Sequence, residues 1–245
     1  MKILFFGDVN GEAGIQAVER DLPKWRSRHK PDLIVANAEN AAHPGMTPEN
    51  LDRLQSAGVD FFTSGDHFAD NDYSALAEYP VIRPYNVVGE YPGKGARVIE
   101  AQNGETVLMV NLIGHDAQKV PGWNYFDAAT KVLEENKDAE AQAIFIDFHA
   151  LSGGEHQSLA WFLDGRVSAV IGTHSHVPSA DTRILPKGTA MQSDAGMCGA
   201  FNTVIGIQVD RGIAAFRQLV GEKVEKPPMK EQSPPYFCDA ALVET

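Results

Sequence analysis

Apolar runs of strand length alternate along the chain with stretches whose apolar residues recur every three or four positions. Met1 to Asp8, MKILFFGD, is a continuous apolar run that ends in a carboxylate, the pattern of a central strand covered on both faces. Beyond the Asn10-Gly11 turn, Ile15, Val18 and Leu22 recur at helical spacing before a basic, polar stretch from Lys24 to Lys30, and this predicts a covering helix. Asp32 to Glu39, DLIVANAE, repeats the strand and runs into Glu39-Asn40. Pro44-Gly45 marks a turn. Thr47 followed by Pro48 predicts a helix start, which Leu51, Leu54 and Ala57 continue as far as Gly58. Val59 to Ser64 predicts a third strand that delivers Gly65-Asp66-His67.

Asp70 to Tyr79 predicts a short helix stopped before Pro80, and Val81 to Gly95 reads as a crossing loop with exposed Lys94 in its PGKG turn. Ala96–Glu100 and Thr106–Leu112 flank Asn103-Gly104, a two-residue hairpin signal that predicts an antiparallel pair. A helix over Asp127–Glu135, the strand Ala143–His149 and a helix over Glu155–Asp164 follow. Val167 to Val177, VSAVIGTHSHV, is an apolar run that stops at a glycine and carries two histidines one residue apart. An extended backbone there projects His174 and His176 to one side. Thr189–Gly196 and Val204–Asp210 are further strand candidates. The run from Gly221 to Pro235 reads as a mobile connector, leaving Phe237–Val243 as a late edge strand.

A chain of 245 residues with no break in composition predicts one α/β domain over 1–245. Its 43% hydrophobic and 22% charged residues are ordinary for a globular protein. The net charge of −12 disfavours an electrostatic grip on long nucleic acid and points to a small partner. The four-residue apolar run at Ile3–Phe6 is too short for a signal-peptide core or a membrane span, so a cytoplasmic location is expected. Cys198 and Cys238 are too few for a disulfide framework and read as free thiols.

Chemistry enters where the strands end. Asp8, Glu39-Asn40, Asp66-His67, His149, and His174 with His176 all follow apolar runs, and functional residues of open α/β sheets collect beyond the carboxyl ends of strands. Any one such ending is cheap, because loops are polar. Repeated carboxylate, amide and imidazole endings instead predict a metal site. The mixture of hard and borderline ligands suits manganese, iron or zinc better than calcium, and there are enough ligands for two ions. The remaining histidines, His29, His43, His115 and His156, sit in polar or turn contexts and read as surface residues.

The segments GDVNGEAG, VANAENAAHPGMT, GVDFFTSGDHFAD, RPYNVVG with PGKG, and IFIDFHA through LDGRVSAVIGTHSHVPSADTRILPKGTAMQSDAGM resemble the calcineurin-like metallophosphoesterases, and within them the bacterial YmdB-type phosphodiesterases. The resemblance implies a four-layer α/β/β/α sandwich of two mixed sheets flanked by helices. It implies two divalent or mixed-valence transition-metal ions, iron or manganese before zinc. Carried over by position, Asp8 and His176 hold the first ion, His149 and His174 the second, and Glu39 bridges them. Where the superfamily has a histidine two residues after the first aspartate, this chain has Asn10, and Asn40 becomes the substitute ligand. The usual Gly-Asn-His reads Gly65-Asp66-His67 here, which keeps a ligand for the second ion and adds negative charge.

The expected reaction is attack of a metal-bridging hydroxide on phosphorus, with His67 as general acid. Asp70 orients His67 or caps a helix, and Asp194 is expected to hydrogen-bond a ligating histidine. Small phosphodiesters or nucleotides, with 2′,3′-cyclic nucleotides as the class the family implies, are the expected substrates. The alternative is a nucleotide-sensing regulatory protein with a weakly active metal site. A homo-oligomer is left open.

Overall fold

The computed structural model describes residues 1–76, 78–115, 122–230 and 232–245. In chain order the first half contains β1 (Lys2–Phe6), β2 (Asp8–Val9), α1 (Gly11–His29), β3 (Leu33–Asn37), α2 (Pro48–Ala57), β4 (Phe61–Thr63), β5 (Ala96–Glu100), β6 (Thr106–Ile113) and α3 (Tyr125–Glu135). The second half contains β7 (Ala143–His149), α4 (Gly153–Phe162), β8 (Ala169–Thr173), β9 (Arg183–Ile184), β10 (Ala190–Gln192), β11 (Met197–Ala200), β12 (Thr203–Val204), β13 (Ile207–Gln208), α5 (Val209–Leu219), β14 (Tyr236–Cys238) and β15 (Ala240–Glu244).

Two mixed sheets dominate, one in the order β15-β1-β3-β4 and the other β5-β6-β7-β8-β10-β9. Strands β1, β3 and β4 run parallel, as do β6, β7, β8 and β10, whereas β15, β5 and β9 are antiparallel edges. The continuous apolar runs are explained by three cores. Ile3, Phe5, Leu33, Val35 and Phe61 of the first sheet meet Val107, Met109, Phe145 and Ile171 of the second. Their alternating neighbours Leu4, Phe6 and Ile34 face Ile15, Val18 and Leu22 of α1 and Leu51 and Leu54 of α2. On the far side, Leu108, Val110, Ile146 and Phe148 face Ala128 and Val132 of α3 and Leu159 of α4. Alternate side chains of each strand therefore enter different cores, which makes helix, sheet, sheet, helix the layer order.

Local signals hold α2 where expected. Thr47 Oγ1 accepts from Asn50 N, Pro48 opens the helix, and Gly58 ends it at φ 112°. The β5–β6 pair is antiparallel, but its loop spans 101–105, with Gly104 at φ 84° and Asn103 Oδ1 accepting Glu105 N. Lys94 is exposed in its turn.

Three expectations need correction. Apart from residue 77, which lies outside the described residues, the stretch Asp70–Tyr79 contains only a 3₁₀ turn at Tyr73–Leu76. Asp72 accepts from Ser74 N and Oγ, a side-chain bond that competes with helix. Val204–Asp210 is no strand: β12 and β13 form a small hairpin through Ile205 and Gly206, both at positive φ, and α5 begins at Val209. The apolar positions 209, 213 and 216 belong to a helical period rather than a strand. The late strand is split in two, with β14 pairing β11 and β15 pairing β1. No helix among the described residues is long and apolar enough to cross a membrane.

Candidate metal centre and its cavity

The parallel strands of both sheets deliver their polar endings to one place. Glu39, Asp66, His149 and His174 each offer a ligand atom, all within 4.8 Å of one another, and Asp8, Glu39 and His176 form a second such group. Glu39 belongs to both. His149 Nε2 lies 3.3 Å from Glu39 Oε1, 3.3 Å from Asp66 Oδ1 and 2.8 Å from His174 Nδ1. His176 Nε2 lies 3.8 Å from Asp8 Oδ1. Asn40, buried beside them, directs Nδ2 to Glu39 Oε1 at 2.9 Å and to His176 Nε2 at 3.3 Å.

His174 and His176 do not reach these groups from an extended strand. Strand β8 stops at Thr173, and the two histidines sit at φ 111° and 64°, conformations that non-glycine residues seldom adopt. Strand periodicity therefore does not place them. The turn sends one imidazole to each group and holds the backbone by His174 N donating to Asp8 Oδ2 at 3.0 Å and Ser175 N to Asp194 Oδ2 at 2.8 Å. Asp194 also accepts from Gly196 N. Its partners are thus backbone amides, not the ligating imidazole expected from the sequence, because the loop brings Ser175 N rather than a ring to the carboxylate.

Proton accounting assigns two tautomers. Thr173 Oγ1 donates its single proton to Asp147 Oδ1 at 2.7 Å, so at 3.0 Å it accepts from Nδ1–H of His149. In the neutral ring Nε2 then presents its lone pair to the cluster. Asn37 Nδ2 fixes the other Asp147 oxygen at 3.1 Å. His176 Nδ1–H donates to the carbonyl of Ile205 at 2.9 Å, which likewise turns Nε2 inward. Asn10 lies next to this ring, with its Nδ2 3.5 Å from Nδ1.

The residues fit a cation. Asp8 Oδ1 is buried with no hydrogen-bond partner among the described residues, and a Cβ on Gly65 would stand 2.1 Å from Glu39 Oε2 and 2.4 Å from His149 Nε2. Only glycine lets that loop pass so close to the ligand atoms. Three carboxylates converge with little exposure to water, which demands compensating charge. Without a cation the protein supplies it as protons. Burial, reinforced by Asp8 and Asp66, holds Glu39 well above the usual carboxylate range. Burial opposes the charge on His149, yet Glu39, Asp66 and Asp8 carry it up to about 10. His174, buried beside charged His149, falls to about 4. Burial and then Asp8 raise Asp194 to about 7.

Over the cluster lies a cavity of about 650 Å³, bounded on the strand side by Asn10, Glu39, Asn40, His67, His174 and His176. Its outer wall comes from Ile205–Gln208, Arg211, Met229, Lys230, Gln232 and Tyr236. His67 follows β4 at its edge, where Nδ1 is 2.6 Å from Asp70 Oδ2 and the backbone N donates to Glu39 Oε2. Two histidines read as surface residues belong elsewhere. His43 lines the cavity, its pKa lowered by burial and by His176, His67 and Arg211. Its place three residues after Asn40, in the same strand-end loop, was the available signal. His156 is buried under the strand ends, Nε2 donating to Ala150 O at 2.8 Å, because α4 packs it against Phe148 and Gly172. Thr173, Asp147 and Asn37 carried no sequence signal as supports. Cys198 is a buried packing residue, and both cysteines are free thiols.

Fold and cluster together define a protein of the metallophosphoesterase type. A crystal structure of a hypothetical protein from Thermus thermophilus superposes with a TM-score of 0.85 at 35% identity, covering 100% of both chains. That of a novel phosphatase from Mycoplasma pneumoniae superposes with a TM-score of 0.83 at 26% identity, covering 100% of this chain and 94% of the other. More narrowly, the chain belongs to the family of YmdB-like proteins, whose model matches residues 4–243. It is similar to a 2′,3′-cyclic-nucleotide 2′-phosphodiesterase of Bacillus subtilis, 38% identical over 221 residues that make up 89% of this chain and 83% of the relative.

Proposed function

We propose that this chain, acting as a single domain, is a dinuclear metal-dependent phosphodiesterase that hydrolyses small phosphodiesters, with 2′,3′-cyclic nucleotides as the substrate class. The observation that carries the proposal is the sharing of Glu39 between two ligand groups. Asp8, His176 and Asn40 would hold one ion, and Asp66, His149 and His174 the other, with Glu39 between them. When bound, such a pair neutralises phosphate oxygens and lowers the pKa of a coordinated water from 15.7 towards ~7. The cavity of about 650 Å³ is of the size that encloses a small ligand, and the name of the Bacillus subtilis relative supports the cyclic-nucleotide class. Iron or manganese is the proposed metal, and the cytoplasm the proposed location.

The chain's own residues divide the remaining work. His67 delivers a proton from Nε2 to the leaving alkoxide, while Asp70 holds Nδ1 at 2.6 Å and sets the ring plane. Asn10 and His43 border the bound phosphate, and Arg211 and Lys230 face the remainder of the substrate. Asp66 contributes a negative charge that favours a more highly charged ion such as ferric iron or weakens binding of the anionic substrate. Unchanged metal content and unchanged KM in Asp66→Asn would rule out that role.

Turnover of bis-p-nitrophenyl phosphate and 2′,3′-cyclic nucleotides by protein purified without chelator tests the reading. Activity should be restored by Mn²⁺ or Fe²⁺ after metal removal and lost in His174→Ala. His67→Ala should cost roughly 10²-fold or more on the cyclic nucleotide, with its poor leaving group, and far less on the p-nitrophenyl ester. Tight nucleotide binding without turnover across metals and pH would overturn the enzyme reading in favour of a sensing protein.

A further inference from the structure

The cavity wall leaves the body of the fold and returns to it through one pair of strands. β11 ends at Ala200 and β14 begins at Tyr236, and the outer wall from Ile205 to Tyr236 is the excursion between them. Among the described residues from 201 to 235 only Gly206, Gly212 and Ala214 are buried, so the excursion adds little to any core. Its two ends are held together by the β11–β14 ladder, with Cys198 opposite Cys238, Gly199 opposite Phe237 and Ala200 opposite Tyr236. The floor hangs on the same ladder. β2 pairs with β11, Asp8 N donates to Gly196 O at 3.1 Å, and Asn10 N donates to Cys198 O at 2.9 Å.

The chain's two cysteines therefore face each other at the neck of the wall, both as free thiols. The ladder puts them in the closer of its two settings. Asp239 N donates to Met197 O and Phe201 N to Pro235 O, both at 2.9 Å, so 197–239 and 201–235 are hydrogen-bonded pairs and, by alternation, Cys198–Cys238 is not. Opposed residues in that setting have Cα atoms about 4.5 Å apart and side chains on one face, within the roughly 4.4–6.8 Å that a disulfide spans. The thiols are already in contact: burial, and after it a hydrogen bond with the Cys238 thiol, holds Cys198 well above the ordinary thiol range. Cys198 is fully buried, whereas Cys238 is only half-buried. One thiol is thus open to a reagent and the other stands directly behind it.

We propose that Cys198 and Cys238 form a reversible dithiol–disulfide site that clasps the foot of the cavity wall to the strand backing the floor, with a small disulfide of the glutathione class as oxidant. The Cys238 sulfur, as thiolate, attacks one sulfur of the reagent, whose S–S bond breaks and releases one glutathione thiolate. The Cys198 thiol then gives its proton to water as its sulfur displaces the second glutathione thiolate from Cys238. Two protein thiols lose two electrons, and one external disulfide gains them to become two thiols. Disulfides of cytoplasmic proteins, the location proposed for this chain, are characteristically of this transient kind. In the dithiol form β14 parts from β11 and lets the wall open; in the disulfide form the two strands stay joined, whatever substrate the cavity takes.

The full chain, purified without chelator and equilibrated in glutathione buffers of falling reduced-to-oxidised ratio, should pass from two thiols per denatured chain to none in one transition. Its mass should fall by two hydrogens only, with no glutathione retained, and reduced glutathione should return both thiols. Hydrogen exchange at Phe237 and across residues 203–230 should slow by about tenfold or more in the oxidised form. Cys238→Ser should keep its single thiol and take up no glutathione, because the buried sulfur is not reached. Cys198→Ala should retain one glutathione on Cys238, since nothing displaces it. Two thiols remaining at every ratio, a parent chain that stops with glutathione bound, cross-links between chains, uptake of glutathione by Cys238→Ser, or a disulfide that leaves exchange of the wall unchanged would each overturn the proposal.

Discussion

The floor of the cavity and its outer wall are held by different means. Floor residues stand on or just beyond strand ends, those after β3, β7 and β8 on strands paired on both sides, and their side chains are fixed by buried groups: Asn37 and Thr173 on Asp147, Thr173 on His149, and His174 N on Asp8. Among its described residues the wall from Ile205 to Tyr236 contains β13, α5 and a long stretch without regular structure before β14. It is tied by Arg211 Nη1 to Pro227 O at 2.6 Å, Lys230 N to Gln208 Oε1 at 2.9 Å and Tyr236 OH to Gln232 O at 3.0 Å. Floor bonds lie in low dielectric and leave unsatisfied groups when broken. Wall bonds border solvent, and water replaces them. In the proposed function, chemistry therefore belongs to the floor and substrate selection to the wall.

This contrast is tested most severely at Glu39. Glu39→Gln removes the charge common to both ligand groups, and kcat/KM should fall by roughly 10³-fold or more, with metal content per chain falling in parallel. Retained metal and activity would break the assignment of the floor.

His156, beneath the strand ends, gives a pH test. Its pKa is lowered to about 4 by burial, against about 6.5 when unfolded. The unfolded chain binds the extra proton first as pH falls, so this contribution to stability is complete above about 6.5 and is lost towards pH 4. It amounts to about 3 kcal/mol. Urea unfolding of metal-free protein should show a shallower loss of stability over that window in His156→Gln than in the parent. Equal slopes would mean that the ring does not titrate as its burial requires.

Thr173→Val keeps shape but removes the oxygen that accepts from His149 Nδ1. Metal affinity should weaken by about 10–100-fold in a competition titration, and Thr173→Ser should retain it. The smallest effect belongs to the wall. Arg211→Gln should raise KM for a cyclic nucleotide by about tenfold or less and leave kcat unchanged, the signature of lost uniform binding. An equal fall in kcat would move Arg211 from the wall's role to the floor's.

Period and turn chemistry made much of the fold legible. Runs such as MKILFFGD and AIFIDFH announced strands covered on both faces, and Thr47-Pro48 with Gly58 bounded α2. The strand-end carboxylates and imidazoles could be named because polar residues in a row of five apolar endings are hard to assign to packing. Short-range signals failed where a local side-chain bond or a tertiary contact overrode them. Asp72 turned a would-be helix into a 3₁₀ turn, the Val204–Asp210 stretch divided between a hairpin and a helix, and His43 and His156 were hidden because a histidine in a polar context carries no mark of what will pack over it.

What the sequence by itself determined is therefore the main parallel strands, their order of polar endings and the residue types gathered there, since these depend on periodicity and on side-chain chemistry. Only the tertiary structure decided how those endings are shared: that Glu39 serves both groups, that His174 and His176 part company through two positive-φ residues, and that Thr173 and Asp147 set the proton on His149. Each of these is a relation between residues as many as 166 positions apart. No local pattern encodes such a relation, because it arises when two sheets bring their strand ends into a common, poorly solvated space.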